Sequence, residues 1–190
     1  MKVRQEIYDI YWKFAAERQN IFFNKIKGKR SLTQDPILQK YKFCNVFRAS
    51  DRVSQFLIRD VIYFKTNFSA EDILFRIFLF RLLNKIETWQ LLEKELGTIH
   101  LKYFTRNRYS KALDKIKQFK GTIYGNTFIL CANKAFGHDK KQDNHLALLE
   151  SVFVKEKTHT NLVKSKSLRE LFRMLIDLPL IGNFMHINLQ

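Results

Sequence analysis

Glycine and proline are scarce in this chain, with six Gly and two Pro in 190 residues. A turn-rich β fold needs such breakers at its reversals, so their scarcity favours helices. Cysteine is scarcer still in effect: Cys44 and Cys131 lie far apart and lack metal-ligand spacing. Both sit among apolar neighbours and read as buried free thiols. That excludes a disulfide framework and fits a reducing, intracellular setting. No run of about 18 uninterrupted apolar residues exists, so no membrane span is expected. The opening MKVRQEIYDIYW has no long apolar core and no small-residue cleavage site, so it does not read as a signal peptide. Also missing are a G-x-x-x-x-G-K-[ST] loop, a zinc deaminase signature and a G-x-S-x-G elbow. A kinase activity encoded in this chain alone is therefore not expected, and neither is a cofactor.

Acidic residues are few, 18 against 34 Lys and Arg, which leaves a net charge of +16. The excess is spread: 13 basic and 6 acidic residues in 1–60, 12 and 6 in 61–130, 9 and 6 in 131–190. A basic folded surface of this kind suits a polyanion, nucleic acid first and an anionic membrane second. A hydrophobic content of 46% with 18 Phe argues for a folded globule. Length fits one domain spanning 1–190 with a real core.

The densest chemistry lies in DPILQKYKFCNVFRASDRVSQFLIRDVIY, residues 35–63. Lys40, Lys42, Arg48, Arg52 and Arg59 alternate there with Tyr41, Phe43, Phe47, Phe56 and Tyr63. Basic residues among aromatics suit phosphate binding with base stacking, and equally a solvated basic face over an ordinary core. Asp35 and Asp51 stand where a side-chain oxygen would cap two apolar-periodic runs. On a helix starting near Ala49, Arg52 and Arg59 share a face.

Together with FAAERQNIF (14–22) and FRLLNKIETW (80–89), this stretch resembles the α-glutamyl/putrescinyl-thymine pyrophosphorylase family of phage-linked DNA hypermodification proteins. It also resembles the helical domain found with hydroxymethyluracil DNA kinases. The resemblance implies a distant relation to helix-hairpin-helix DNA glycosylases. It further implies an all-α fold of that type, cut short at the C-terminus. Double-stranded DNA and a partner enzyme are the implied partners, in the cytoplasm of a bacterium or a phage-infected host cell.

Along the chain, apolar periodicity predicts a first helix over 2–26, with Ile7, Ile10, Tyr11, Phe14, Ala15, Ile21, Phe22 and Ile26 as its stripe. Within it, Arg18 is a candidate phosphate contact, and Glu17 either serves the site or pairs with a neighbouring base. KGKRS (27–31) is a basic loop. Helices are expected over 36–46 and 50–65. Ser69 opens another with capping-box spacing. The helix over 71–84 is apolar nearly all round, so it belongs in the core with Leu74, Phe75, Phe78 and Leu82 buried. Its Arg76 and Arg81 then need partners or an exposed edge. Further helices are expected over 87–96, 102–120, 146–155 and 167–177. TIYGNTFILCA (122–132) reads as a short strand from its β-branched and aromatic residues, and as helix from the resemblance. GHDKKQDNH (137–145) reads as a loop; its His138, Asp139, Asp143 and His145 invite a metal reading, but no metal site is expected.

Leu178-Pro179-Leu180-Ile181-Gly182 looks like a helix-hairpin-helix turn, in which backbone N–H groups meet a DNA phosphate. Gly182 matches the second glycine of that pattern and is a candidate nucleic-acid contact, whereas Leu180 replaces the first. A plain connection with proline is the alternative. In related glycosylases the catalytic aspartate follows this hairpin, and here it would fall beyond Gln190. Two functions stay open. One is an enzyme acting on a modified pyrimidine in DNA, with Asp51 and Glu17, then Asp60, as candidate catalytic carboxylates. The other is a non-catalytic nucleic-acid-binding module or adaptor for a partner enzyme.

Overall fold

The structure, a computed structural model, describes residues 4–64, 67–125 and 134–181. Nine α-helices occur among the described residues, joined by short 3-10 and π-helical turns, and no strand. They are α1 (Gln5–Ile26), α2 (Pro36–Lys40), α3 (Arg52–Phe56), α4 (Ala70–Leu83), α5 (Ile86–Leu96), α6 (Arg106–Lys120), α7 (Lys141–Glu150), α8 (His159–Val163) and α9 (Leu168–Ile176). The expected all-α class holds. In the segment read as strand or helix, residues 122–125 are neither, and the rest lies outside the described residues. The chain divides into two compact units, Met1–Gln55 and Phe56–Gln190.

In the first unit, the expected stripe of α1 has the right period but the wrong burial. Ala15 is its one buried residue, Phe14, Ile21 and Phe22 are half-buried, and Ile7, Ile10, Tyr11 and Ile26 are exposed. A 22-residue helix is about 33 Å long. The short elements of this unit cannot cover that length. α2 starts where Asp35 Oδ1 accepts from Ile37 N (2.8 Å) and Leu38 N (3.0 Å), with Pro36 in the first turn. It stops at Lys40 rather than near residue 46, because Tyr41 turns extended and α1 takes over the following backbone. Asp51 does not cap α3 with its side chain, which is occupied elsewhere. Cys44 is exposed, against the expectation of burial; Cys131 lies outside the described residues.

The second unit is built on α4. Ser69 Oγ accepts from Asp72 N at 3.1 Å and starts the helix. Asn84, left-handed at φ 47°, ends it. Phe75, Phe78, Leu79, Phe80, Leu82 and Leu83 are buried, while Leu74 is only half-buried. Burying each such phenyl or isobutyl group contributes about 1.5–3 kcal/mol. The rings interlock edge to face: Phe75 and Phe78 with Phe153, Phe80 with Trp89. Asp72 accepts from Leu101 N at 2.8 Å and faces His100. Burial works to raise its carboxyl, but the Leu101 N–H, His100 and Ser69 outweigh that and hold it below its ordinary range.

Arg76 is completely buried. It donates to the carbonyls of Val61 (2.8 Å) and Ile99 (3.0 Å), meets Glu93 at 3.5 Å, and lies 4.2 Å under the Phe68 ring. Val61 belongs to the π-helical turn Leu57–Ile62, whose last carbonyls have no helical partner. The arginine supplies those donors.

α7 begins at Lys141, inside the stretch read as a loop. Asn144 is buried and fully satisfied: its Oδ1 accepts from Phe136 N and His138 N, and its Nδ2 donates to His138 O and Lys140 O. One amide thus folds the 136–140 turn back onto the helix. Among the described residues no group of three His, Cys, Asp or Glu could hold a metal ion. None of the described helices is long and apolar enough to cross a membrane.

Candidate nucleic-acid interface

Glu17, Arg18 and Gln19 of α1 fasten the two loops of the first unit. Glu17 Oε1 accepts from Thr33 Oγ1 at 2.6 Å, and Thr33 Oγ1 accepts from Asp35 N at 3.1 Å. Glu17 therefore positions the start of α2. Arg18 donates to the carbonyl of Phe43. Gln19 Oε1 accepts from Phe47 N at 3.0 Å, and its Nε2 donates to Ser50 Oγ at 3.3 Å. From the other side, Asp51 Oδ1 accepts from Asn45 N at 3.0 Å, and Asn45 Nδ2 donates to Ser50 O at 2.9 Å. Asp51 Oδ2 pairs with Arg48 at 2.8 Å. The loop 43–51 is thus held at both ends and in its middle.

Arg18, Arg48 and Asp51 all fasten this loop; of the candidate catalytic carboxylates, Asp51 uses both oxygens in the fold and Glu17 uses Oε1. Lys40 lies over the Tyr41 ring, 5.4 Å from its centre. Lys42 and Arg52 are exposed and pair with no group among the described residues. Arg59 belongs to the second unit, where it forks onto Asp60 at 2.8–3.1 Å. Gly182 lies outside the described residues.

Sequence reasoning missed Gln19 and Asn45 as organising residues. A signal was present for Asn45, the one amide in the otherwise apolar string FCNVF; Gln19, beside Asn20 in ERQNIF, had none so distinct. It also left the 27–31 loop without a role. Lys25, Lys27, Lys29 and Arg30 are exposed there without carboxylate partners. The first unit carries 12 Lys and Arg against 5 Asp and Glu. Of those five, Glu17, Asp35 and Asp51 are bound internally, so little is left to offset the exposed cations. Among its described residues Arg48–Asp51 is the one ion pair. The helices of the second unit instead use many of their cations in pairs, such as Lys115–Glu95, Lys140–Asp114 and Arg106–Glu150.

Near the chain's end, Ile181 N donates to Leu178 O at 3.2 Å, closing a four-residue turn. Pro179 occupies its second position and Leu180, at φ 67°, its third. A positive φ at that position is what glycine supplies in a type II turn.

Residues 5–190 match the family described as "5-hmdU DNA kinase, helical domain". The chain belongs to this family of 5-hmdU DNA kinase helical domains. A relative in Bacillus phage SP10, itself named a 5-hmdU DNA kinase, is 25% identical over 193 residues. The match takes in 95% of this chain and 30% of the relative, so this helical domain spans about a third of that protein's length. No solved structure matches the chain.

Proposed function

We propose that this chain is a DNA-binding helical module of phage DNA base modification, which presents 5-hmdU DNA to an enzyme that modifies it. The observation that carries this reading is the set of uncompensated cations on the first unit: Lys25, Lys27, Lys29, Arg30, Lys42 and Arg52. Exposed cations that are not already paired can neutralise DNA phosphates and release the counterions condensed on them, a large share of affinity for DNA. Duplex DNA is the substrate the sequence points to, and an infected host cell is the setting that the phage relative supports.

The module itself is non-catalytic in this reading. This reading is supported by the contacts of Asp51 to Asn45 and Arg48 and of Glu17 Oε1 to Thr33, which give these carboxylates work in the fold. The turn at Pro179–Leu180 supports a distant kinship with helix-hairpin-helix glycosylases, as a scaffold rather than as an activity; kinship with the pyrophosphorylase-type proteins rests on the sequence resemblance.

Fluorescence anisotropy with a duplex containing 5-hmdU tests the reading at about 50 and about 200 mM salt. Affinity is expected to fall steeply between the two. Arg52→Ala should weaken binding severalfold and shrink the salt slope by about one counterion. An unchanged slope and affinity would remove Arg52 from the interface. Base release by the unaltered chain, lost in Asp51→Asn, would replace the module reading with the enzyme reading.

A further inference from the structure

The loop between α2 and the 3-10 turn Arg48–Ser50 exposes Phe47 at 67% of its surface, with Tyr41 at 55% beside Lys42. Exposed aromatics at a fraying loop would mean little. This loop does not fray. The N–H of Phe47 is held by Gln19 at 3.0 Å, and its carbonyl accepts from Ser50 N at 2.9 Å. Phe43, four residues earlier, is held by Arg18 through its carbonyl and packs its ring edge-on to Phe14 at 5.1 Å. Asn45, between them, is pinned at its own N–H and at its side chain. The Phe47 ring itself meets no other ring and no cation among the described residues. Both backbone groups of a large apolar residue are thus fixed while its side chain stands in water. Burying a Phe that now stands in water contributes about 1.5–3 kcal/mol, so covering this fixed ring would add to the affinity for a partner.

The surroundings select the partner. The carboxylate nearest in sequence, Asp51, is neutralised by Arg48 and by the Asn45 N–H. Arg48 keeps 65% of its side chain exposed, and Lys42 and Arg52 are free. A flat exposed ring on a loop whose sequence carries exposed cations on both sides, with its one carboxylate already paired, matches a nucleobase attached to phosphates. A protein surface would need acidic side chains to meet those cations. In an intact duplex each base face is covered by its neighbours, so only an unpaired base can stack on Phe47.

We infer that Phe47 is a stacking platform for an unpaired nucleobase, so that this chain holds single-stranded or locally opened DNA more tightly than intact duplex. The inference rests on the DNA-binding reading and deepens it. The cations grip the backbone, and Phe47 recognises that a base has left its stack.

The experiment uses the full chain and three fluorescent probes of one sequence: a single strand, its perfect duplex, and a duplex with a central three-nucleotide mismatch bubble. The unaltered chain is expected to prefer the strand and the bubble. Phe47→Ala should lower affinity for those two about tenfold, as loss of one stacked base does, with duplex affinity kept. Phe47→Trp should retain the preference, and Phe47→Leu, apolar but without a π-face, should lose it. All three changes fall at one exposed position, and equal melting temperatures would confirm an intact fold. Equal affinity of Phe47→Ala and the unaltered chain for every probe would overturn the inference alone, as expected if the ring docks a protein. A uniform loss on all three probes would do the same. No binding to any probe by the unaltered chain would overturn both the inference and the reading beneath it.

Discussion

Arg18 donates from Nε at 2.8 Å and from Nη2 at 2.5 Å to one carbonyl oxygen, that of Phe43, 25 residues away. A guanidinium forks rigidly, whereas a lysine ammonium is a single mobile point. Arg18→Lys should therefore keep the charge but loosen the loop. The expected loss is about 1–2 kcal/mol in urea unfolding, typical of a charge-assisted hydrogen bond. Arg52→Ala, at an exposed residue without partners, should leave unfolding within about 0.5 kcal/mol of the parent. Equal destabilisation by the two changes would contradict the division of labour between a loop-fastening and a ligand-facing arginine.

Arg76 is a different case, because nothing about it is exposed. Arg76→Met would fill most of the space. It would also leave the Val61 and Ile99 carbonyls without their donors and Glu93 without its cation. Breaking one side of a buried charged cluster costs about 3–5 kcal/mol. Thermal and urea unfolding should both register it, and the removal of Glu93 should cost less, since Arg76 would keep the Val61 and Ile99 carbonyls and the Phe68 ring. A loss under about 1 kcal/mol would mean that other groups cap the π-helical turn.

His145 is buried, 3.1 Å from the Tyr124 hydroxyl through Nδ1. Burial first, and then Lys141, push its pKa down to about 4. An unfolded histidine titrates near 6.5, so between these values the unfolded chain binds the extra proton and the folded one does not. Stability from this group is fully present above about pH 6.5, falls as pH drops towards 4, and levels off below. The drop is on the order of 3 kcal/mol. His145→Asn retains a polar group near the Nδ1 position without a proton to take up. Urea midpoints at a series of pH values should show a shallower acid slope for that variant. Identical slopes would place the acid sensitivity elsewhere.

How much of this was legible follows from where each cause resides. α4 was readable because its causes are local: a Ser69 cap, an apolar run on nearly every side, and an arginine that had to find partners. The start of α7 was not. Lys141, Gln142, Asp143 and Asn144 look like loop until Asn144 is seen to satisfy four backbone groups, and Gln142 to donate to Asp114 on α6 at 2.9 Å. Those are tertiary facts. The period of α1 showed that an apolar face exists, but not that part of it stays uncovered. In the candidate site, the fold partners of the charged residues were not readable. Arg18 and Asp51 were picked out by charge, yet their partners lie 25 and 6 residues away in a loop whose path no periodicity encodes. Gly125 makes the same point. A Cβ there would stand 2.3 Å from the carbonyl oxygen of Asn84, a constraint set by how residues 122–125 lie on the α4–α5 corner.

Leu180 offers a test of the hairpin. Its φ of 67° puts a Cβ where left-handed backbone costs an L-residue about 1–2 kcal/mol. Two substitutions separate strain from packing. Leu180→Ala removes the half-buried isobutyl group but keeps the Cβ and its strain. Leu180→Gly removes both, at the cost of a more flexible unfolded chain. In a helix interior Ala is more stable than Gly by about 1 kcal/mol. At this turn the order should reverse, with the Gly variant more stable than the Ala variant by about 1 kcal/mol. Paired urea unfolding curves give the comparison directly. If Ala equals or exceeds Gly, residue 180 does not hold the left-handed conformation in solution. The turn would then be an ordinary connection, and the proposed helix-hairpin-helix kinship would lose the one geometric feature offered for it.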